Sequence, residues 1–160
     1  FSSPDIKEID TKDCAGPDLT SCSMDSFFKK GTAITNRTLS FAAQPFFPSG
    51  IDGTAPGPFR RVFIDDSSEL CTNGQQPSDQ FPGRKNGIVF FPGSAPLYKK
   101  GALVSGLGVS GDGVEQDDVV TAGGIAAGAG FEAPAAIRAD QVFVRGVRLP
   151  YLKFNRNPEE

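Results

Sequence analysis

The run "GALVSGLGVSGDGVEQDDVV", Gly101 to Val120, changes its period half-way along. In the first half, Leu103, Ser105, Leu107 and Val109 fall on one face of an extended strand and Ala102, Val104, Gly106 and Gly108 on the other. The second face is made of small residues, so something must approach it closely, most simply a helix or another chain. From about Val114 to Ala129 the apolar residues recur at helical spacing, at Val119, Val120, Ala122, Ile125, Ala126 and Ala129. Gly123, Gly124 and Gly128 each weaken such a helix by about 1 kcal/mol relative to Ala. That composition makes sense if the helix packs on the small face of the strand.

Four acids and a glutamine stand at the junction. Gly111 and Gly113 form the turn, Asp112 is placed to cap the helix, and Glu115, Asp117 and Asp118 fall in its first turns. There they meet unpaired N–H groups and the positive end of the helix dipole, each acid contributing about 0.3–1 kcal/mol. The competing reading is a cation held by Asp112 and Glu115. The spacing misses the EF-hand pattern, and the helix start is preferred, with no metal. "GLGVSG" lacks the spacing of a dinucleotide-binding loop.

Around this run the chain is rich in turns. Nineteen Gly and thirteen Pro suit strands and long ordered loops rather than a helical bundle. Residues 1–22 read as an irregular arm, residues 23–131 as the domain and residues 132–160 as an extended tail. "SCSMDSFFKKG" is a short helix end with Ser23 as N-cap, and Arg37 to Gln44 a second helix ended by Pro45. Between Pro45 and Asn86 only "RRVFID", Arg60 to Asp65, reads as a strand. A loop region this long is uncommon unless it binds something or covers a partner. Gly87 to Phe91 reads as a strand pairing antiparallel with Ala102–Val109. "PGSAPLY" carries the chain over an edge, and "KKG" is a tight turn in which Gly101 takes a positive φ. Beyond the helix, Gln141 to Val144 is the one strand foreseen.

Several function classes drop out. The net charge is -3 with no Arg/Lys run, which points away from nucleic acid. There is no apolar stretch long enough to span a membrane. Histidine is absent, and with it the commonest general base, metal ligand and proximal haem ligand. No Ser or Cys sits beside a recognisable base, so no nucleophile constellation can be named and an enzyme is the weakest reading. Cys14 and Cys22 frame "CAGPDLTSC", a loop that a disulfide could close; free thiols are the other reading.

The segment "PGSAPLYKKGALVSGLGVSGDGVEQDD" resembles the second half of the GlcG/HbpS-like haem-binding (haem-degrading-type) domain. That family shows a Gly-x-Pro-Leu-Tyr turn, a Gly-x-Leu-Val-Gly strand, Gly-Val-Ser-Gly and then Glu-Gln-Asp at a helix start. "SFFKKGTAITNRTLSFAAQPFFPSGI", with its Thr-x-Arg-Thr, and the tail "RADQVFVRGVRLPYLKFNRNP" are similar to its larger secreted relatives. The resemblance runs from about Ser26 to Pro158 and is most specific over Gly93–Asp118. It implies a profilin-like α+β fold, an antiparallel sheet with packed helices, of which the family's opening helix and first hairpin have no counterpart in this chain. It implies a haem or tetrapyrrole cofactor and a periplasmic or extracellular setting, where the Cys14–Cys22 disulfide would be expected. It transfers no residue-level site. Without His, an iron ligand would have to be Met24, Tyr98, Tyr151, a Cys or a Lys. A second reading is a non-catalytic accessory subunit of a larger, membrane-associated complex, derived from that family. In either case other chains, or copies of this one, are expected at the sheet edge and along Val147–Phe154, whose apolar groups lack an amphipathic period of their own.

Overall fold

A computed structural model describes residues 28–29, 31–68, 88–127 and 130–153. The three cysteines and Met24 lie outside the described residues, and with them the Cys14–Cys22 expectation and the helix end at Ser23. The architecture is α+β. In chain order come helix α1 (Asn36–Ala42), helix α2 (Arg60–Ser68), strands β1 (Ser94–Lys99) and β2 (Ala102–Gly108), helix α3 (Val114–Ala127), two 3₁₀ turns, and the short strands β3 (Phe143–Val144) and β4 (Val147–Arg148). The strands form two separate antiparallel pairs, β1–β2 and β3–β4.

The strand before β2 is not the one read from the sequence. Gly87–Phe91 is no strand over its described residues, and "SAPLYK" makes the ladder instead. Pro96 is tolerated because β1 is an edge strand in a two-stranded sheet. The tight turn is where it was expected. Lys100 and Gly101 both have positive φ, 52° and 79°, the signature of a two-residue type I′ hairpin closed by Lys99 and Ala102. A register shift between Leu97 and Tyr98 leaves Val104 unpaired, a bulge that breaks the strict alternation of β2.

"RRVFID" is likewise helical rather than extended. α2 packs Phe63 edge-on against Phe90, ring centroids 5.2 Å apart. Tertiary packing overrode the β-propensity of Val62, Phe63 and Ile64. α1 begins one residue earlier than expected. Thr35 and Thr38 form a reciprocal capping box, each hydroxyl accepting the other's backbone N–H.

The core gathers Phe28, Ile34, Leu39, Phe47, Phe59 and Tyr98 with Val144, Leu149 and Tyr151 from the C-terminal segment. Phe28 and Phe59 stack with centroids 5.5 Å apart. The loop after α1 folds back on the helix end, Gly57 N–H donating to Gln44 and Phe59 N–H to Ala42. It is clamped by Arg145, which donates to the Ala55 and Pro56 carbonyls and covers the Phe47 ring.

Within the expected docking stretch Val147–Phe154, Leu149 and Tyr151 are buried in this chain's own core. Residues 132–153 run beside Ala33, which bridges to Arg138, and turn through the β3–β4 hairpin. Over its described residues the tail forms no long helix or strand: it is held by hydrogen bonds of its backbone to Thr35, Thr38 and Asp118, and Leu149 and Tyr151 join the common core. Phe154 lies outside the described residues.

The helix and the strand meet differently from expectation too. The buried residues of α3 are Asp117, Asp118, Thr121 and Ile125, while Val120 is 57% exposed. Leu107, on the larger face of β2, is the strand side chain near Gly124. The small face stays open: a side chain at Gly108 would meet nothing within 4 Å. Leu103 and Val104 are 44% and 52% exposed.

Candidate functional site

The acid that ties the most distant segments together in the described molecule is Asp118. Its side chain is fully buried. One carboxylate oxygen accepts the Arg37 Nε–H and the Lys153 backbone N–H, each at 2.6 Å; the other accepts the Gly93 N–H at 3.3 Å. Four pieces of chain, α1, α3, the approach to β1 and the tail, are held by one carboxylate. Gly93 is where the fit is tightest. Its φ is +124°, its carbonyl accepts from Val109 N–H and the Thr121 hydroxyl, and a Cβ there would stand 2.6 Å from the Val109 oxygen. Only glycine meets both demands.

Glu115, one helical turn before Asp118, joins the same network from the surface. It accepts from Arg37 Nη2 at 2.9 Å and pairs with the Lys153 ammonium. Those two cations, Lys153 first and Arg37 second, hold its carboxyl below the usual carboxylate range. Burial works against the Arg37 charge, but the hydrogen bonds and charges of Asp118 and Glu115 outweigh it and raise its pKa. The capping threonines complete the joint: the Thr35 hydroxyl donates to the Tyr151 carbonyl and the Thr38 hydroxyl to that of Pro150 at 2.7 Å. "TNRT" and "EQDD", 80 positions apart in the sequence, are thus two halves of one clasp on the tail.

Behind the clasp lies a cavity of about 570 Å³. Ala122, Ile125 and Ala126 of α3 form an apolar wall with Pro150 and Leu152. Arg37, Arg138, Arg148, Lys153, Glu132, Asp140 and Tyr151 supply the polar lining. Arg138 is paired in bidentate fashion with Asp140, at 3.2 and 3.0 Å, and its guanidinium lies over the Tyr151 ring, 5.4 Å from the centroid. Every buried side-chain nitrogen and oxygen among the described residues has a hydrogen-bond partner. Tyr151, itself buried, lines the cavity. Desolvation, then the neighbouring Tyr98, pushes that phenol well above its ordinary value, so it stays protonated.

Of the residues singled out in the sequence, Tyr151 lines the cavity and Tyr98 lies next to it in the core, 4% exposed. Asp112 and Glu115 do not converge: Glu115 belongs to the Arg37–Lys153 network, whereas Asp112 is exposed and accepts no hydrogen bond from α3. The capping role given to Asp112 is therefore corrected; the first turn of α3 carries Glu115 and Asp117 instead. Among the described residues no three acids, cysteines or histidines cluster as a metal site. Sequence reasoning missed Arg37, Asp118, Arg138, Arg148 and Lys153. The Thr-x-Arg-Thr motif was the available signal for the first, but nothing local tied it to the acids of α3.

Residues 60–126 match the family described as haem degrading protein HbpS-like. The chain carries an HbpS-like segment. It takes in α2, both strands of the first sheet and all but the last residue of α3, and includes the stretch Gly93–Asp118. The match ties this part of the chain to a haem-related family. It supplies Asp118, Glu115, Gly93 and the α3 side of the cavity's apolar wall; α1 and the tail, which close the cavity, lie outside it. No curated protein and no solved structure matches the chain. No helix among the described residues is long and apolar enough to cross a membrane.

Proposed function

We propose that this chain is an extracytoplasmic HbpS-like module that binds haem or a related tetrapyrrole in the cavity between α3 and the tail. The observation that carries the reading is the placement of that cavity against the helix of the HbpS-like segment, with an apolar wall on one side and cations and a phenol on the other. Its volume falls within the range of small-molecule sites, roughly 300–1,000 Å³. The donor set fits a tetrapyrrole without histidine: phenolate oxygen is an established axial ligand of haem iron, and Tyr151 is the phenol among the lining residues. Iron would favour the phenolate against the burial that now keeps Tyr151 protonated. Bound iron tetrapyrrole would supply redox chemistry; this chain's part is to enclose the ring and hold its charged substituents. The test is titration of the purified chain with haemin. The expectation is a saturable Soret band that shifts in Tyr151→Phe while the circular dichroism spectrum is unchanged. A haemin spectrum indistinguishable from that of free haemin would end this reading.

A second reading, an accessory subunit in a larger assembly, is favoured by β2. Its free edge and both its faces are exposed, with Leu103 and Val104 about half accessible, and uncovered edges of this kind invite strand addition. Sedimentation of the isolated chain distinguishes the two: a monomer across micromolar concentrations that captures haemin supports the binding module alone.

A further inference from the structure

The charges lining the cavity are unevenly spent. Arg37 is committed to Asp118 and Glu115, Lys153 to Glu115, and Arg138 to Asp140. Arg148 has no anionic partner among the described residues, and neither does Glu132 a cationic one, although both line the same cavity. The backbone of Arg148 is nevertheless held in place. It sits in β4 opposite Phe143, and the next residue, Leu149, is buried and donates its N–H to the Val142 carbonyl. An exposed guanidinium without an acid among the described residues, lining the same cavity as Ala122, Ile125 and Leu152, is suited to a molecule with an apolar body and an anionic end. Guanidinium geometry selects planar, bidentate anions, carboxylate above all.

We propose that the cavity recognises an amphipathic carboxylate and that Arg148 is its carboxylate clamp. Glu132 lines the same cavity and opposes added negative charge, tuning the site against polyanions. The inference rests on the haem reading only for the identity of the apolar body, since a tetrapyrrole carrying propionates is one member of the class.

The experiment uses the 160-residue chain with three ligands: haemin, haemin dimethyl ester, which lacks free carboxylates, and 1-pyrenebutyrate, a carboxylate with an unrelated aromatic body. Binding is followed by absorbance or fluorescence for the unaltered chain, Arg148→Ala, Arg148→Lys and Glu132→Gln. Haemin and pyrenebutyrate should each bind about tenfold more weakly to Arg148→Ala, with Arg148→Lys intermediate, and Glu132→Gln should bind both a few-fold more tightly. The ester should bind weakly and be indifferent to Arg148→Ala. If haemin and its ester bind equally and Arg148→Ala changes neither, the clamp is overturned while the haem reading stands. If pyrenebutyrate binds in an Arg148-dependent way and haemin does not bind at all, the clamp stands and the haem reading falls. If no carboxylate binds, both fall.

Discussion

Replacing Asp118 by alanine should be the most damaging single polar substitution in the described molecule. The side chain is fully buried and accepts from Arg37 Nε, Lys153 N and Gly93 N. Its loss orphans the Gly93 N–H in a buried position and removes the nearer of two carboxylates from Arg37, whose side chain is only 19% exposed. Removing one partner of a buried ion pair typically costs 3–5 kcal/mol. Arg37 keeps Glu115 and water can reach Lys153, so the low end applies, about 3 kcal/mol. For a chain of this length, about 2–4 °C per kcal/mol translates that into a melting temperature lower by roughly 6–12 °C. Asp118→Asn should not restore stability. All three neighbours are donors, so either orientation of the amide sets its NH₂ against at least one of them. Thermal and urea denaturation followed by circular dichroism give the free energy, and native-state hydrogen exchange should show lost protection at Gly93 and Lys153. A cost below about 1 kcal/mol for Asp118→Ala, or an Asp118→Asn variant as stable as the parent, would refute the view that this carboxylate holds α1, α3 and the tail together.

Gly93→Ala should lower stability by about 2–3 kcal/mol or more, because its Cβ would press on the Val109 carbonyl and the Asp117 side chain at a φ of +124°; a neutral effect in urea melts would contradict the geometry. Glu115 has a depressed folded-state pKa, so its contribution is present above the unfolded value near 4.5 and is lost as pH falls through the lower folded value. Glu115→Gln should therefore cost under about 1 kcal/mol at neutral pH, the pair being solvent-exposed, and should flatten the stability profile below about pH 4; an unchanged acid limb would speak against the ion pairs. Asp112→Ala should stay within about 0.5 kcal/mol of the parent, as expected of an exposed side chain that caps nothing, and a loss near 1 kcal/mol would reinstate the cap.

The sequence by itself determined the local features. Positive φ at Gly101 and the hairpin it closes follow from turn chemistry within four residues. The start of α3 follows from the switch in period at Gly111–Gly113, and the HbpS-like character of the central segment from a motif that is contiguous in the chain. Tertiary structure decided everything that depends on distant partners. Pattern reading sends an aspartate to solvent, because an unpaired buried carboxylate is prohibitively costly. Asp118 is inside because Arg37, 81 residues earlier, and the backbone of Lys153, 35 residues later, compensate it. The same holds for α2, whose β-branched and aromatic residues suit a strand until Phe63 finds Phe90. It holds for the tail, whose backbone is bonded to Thr35, Thr38 and Asp118 and whose Leu149 and Tyr151 join the common core. The cavity is a product of that fit: one side of its wall comes from a helix that sequence could read, and its charged lining from segments that only folding brings to it.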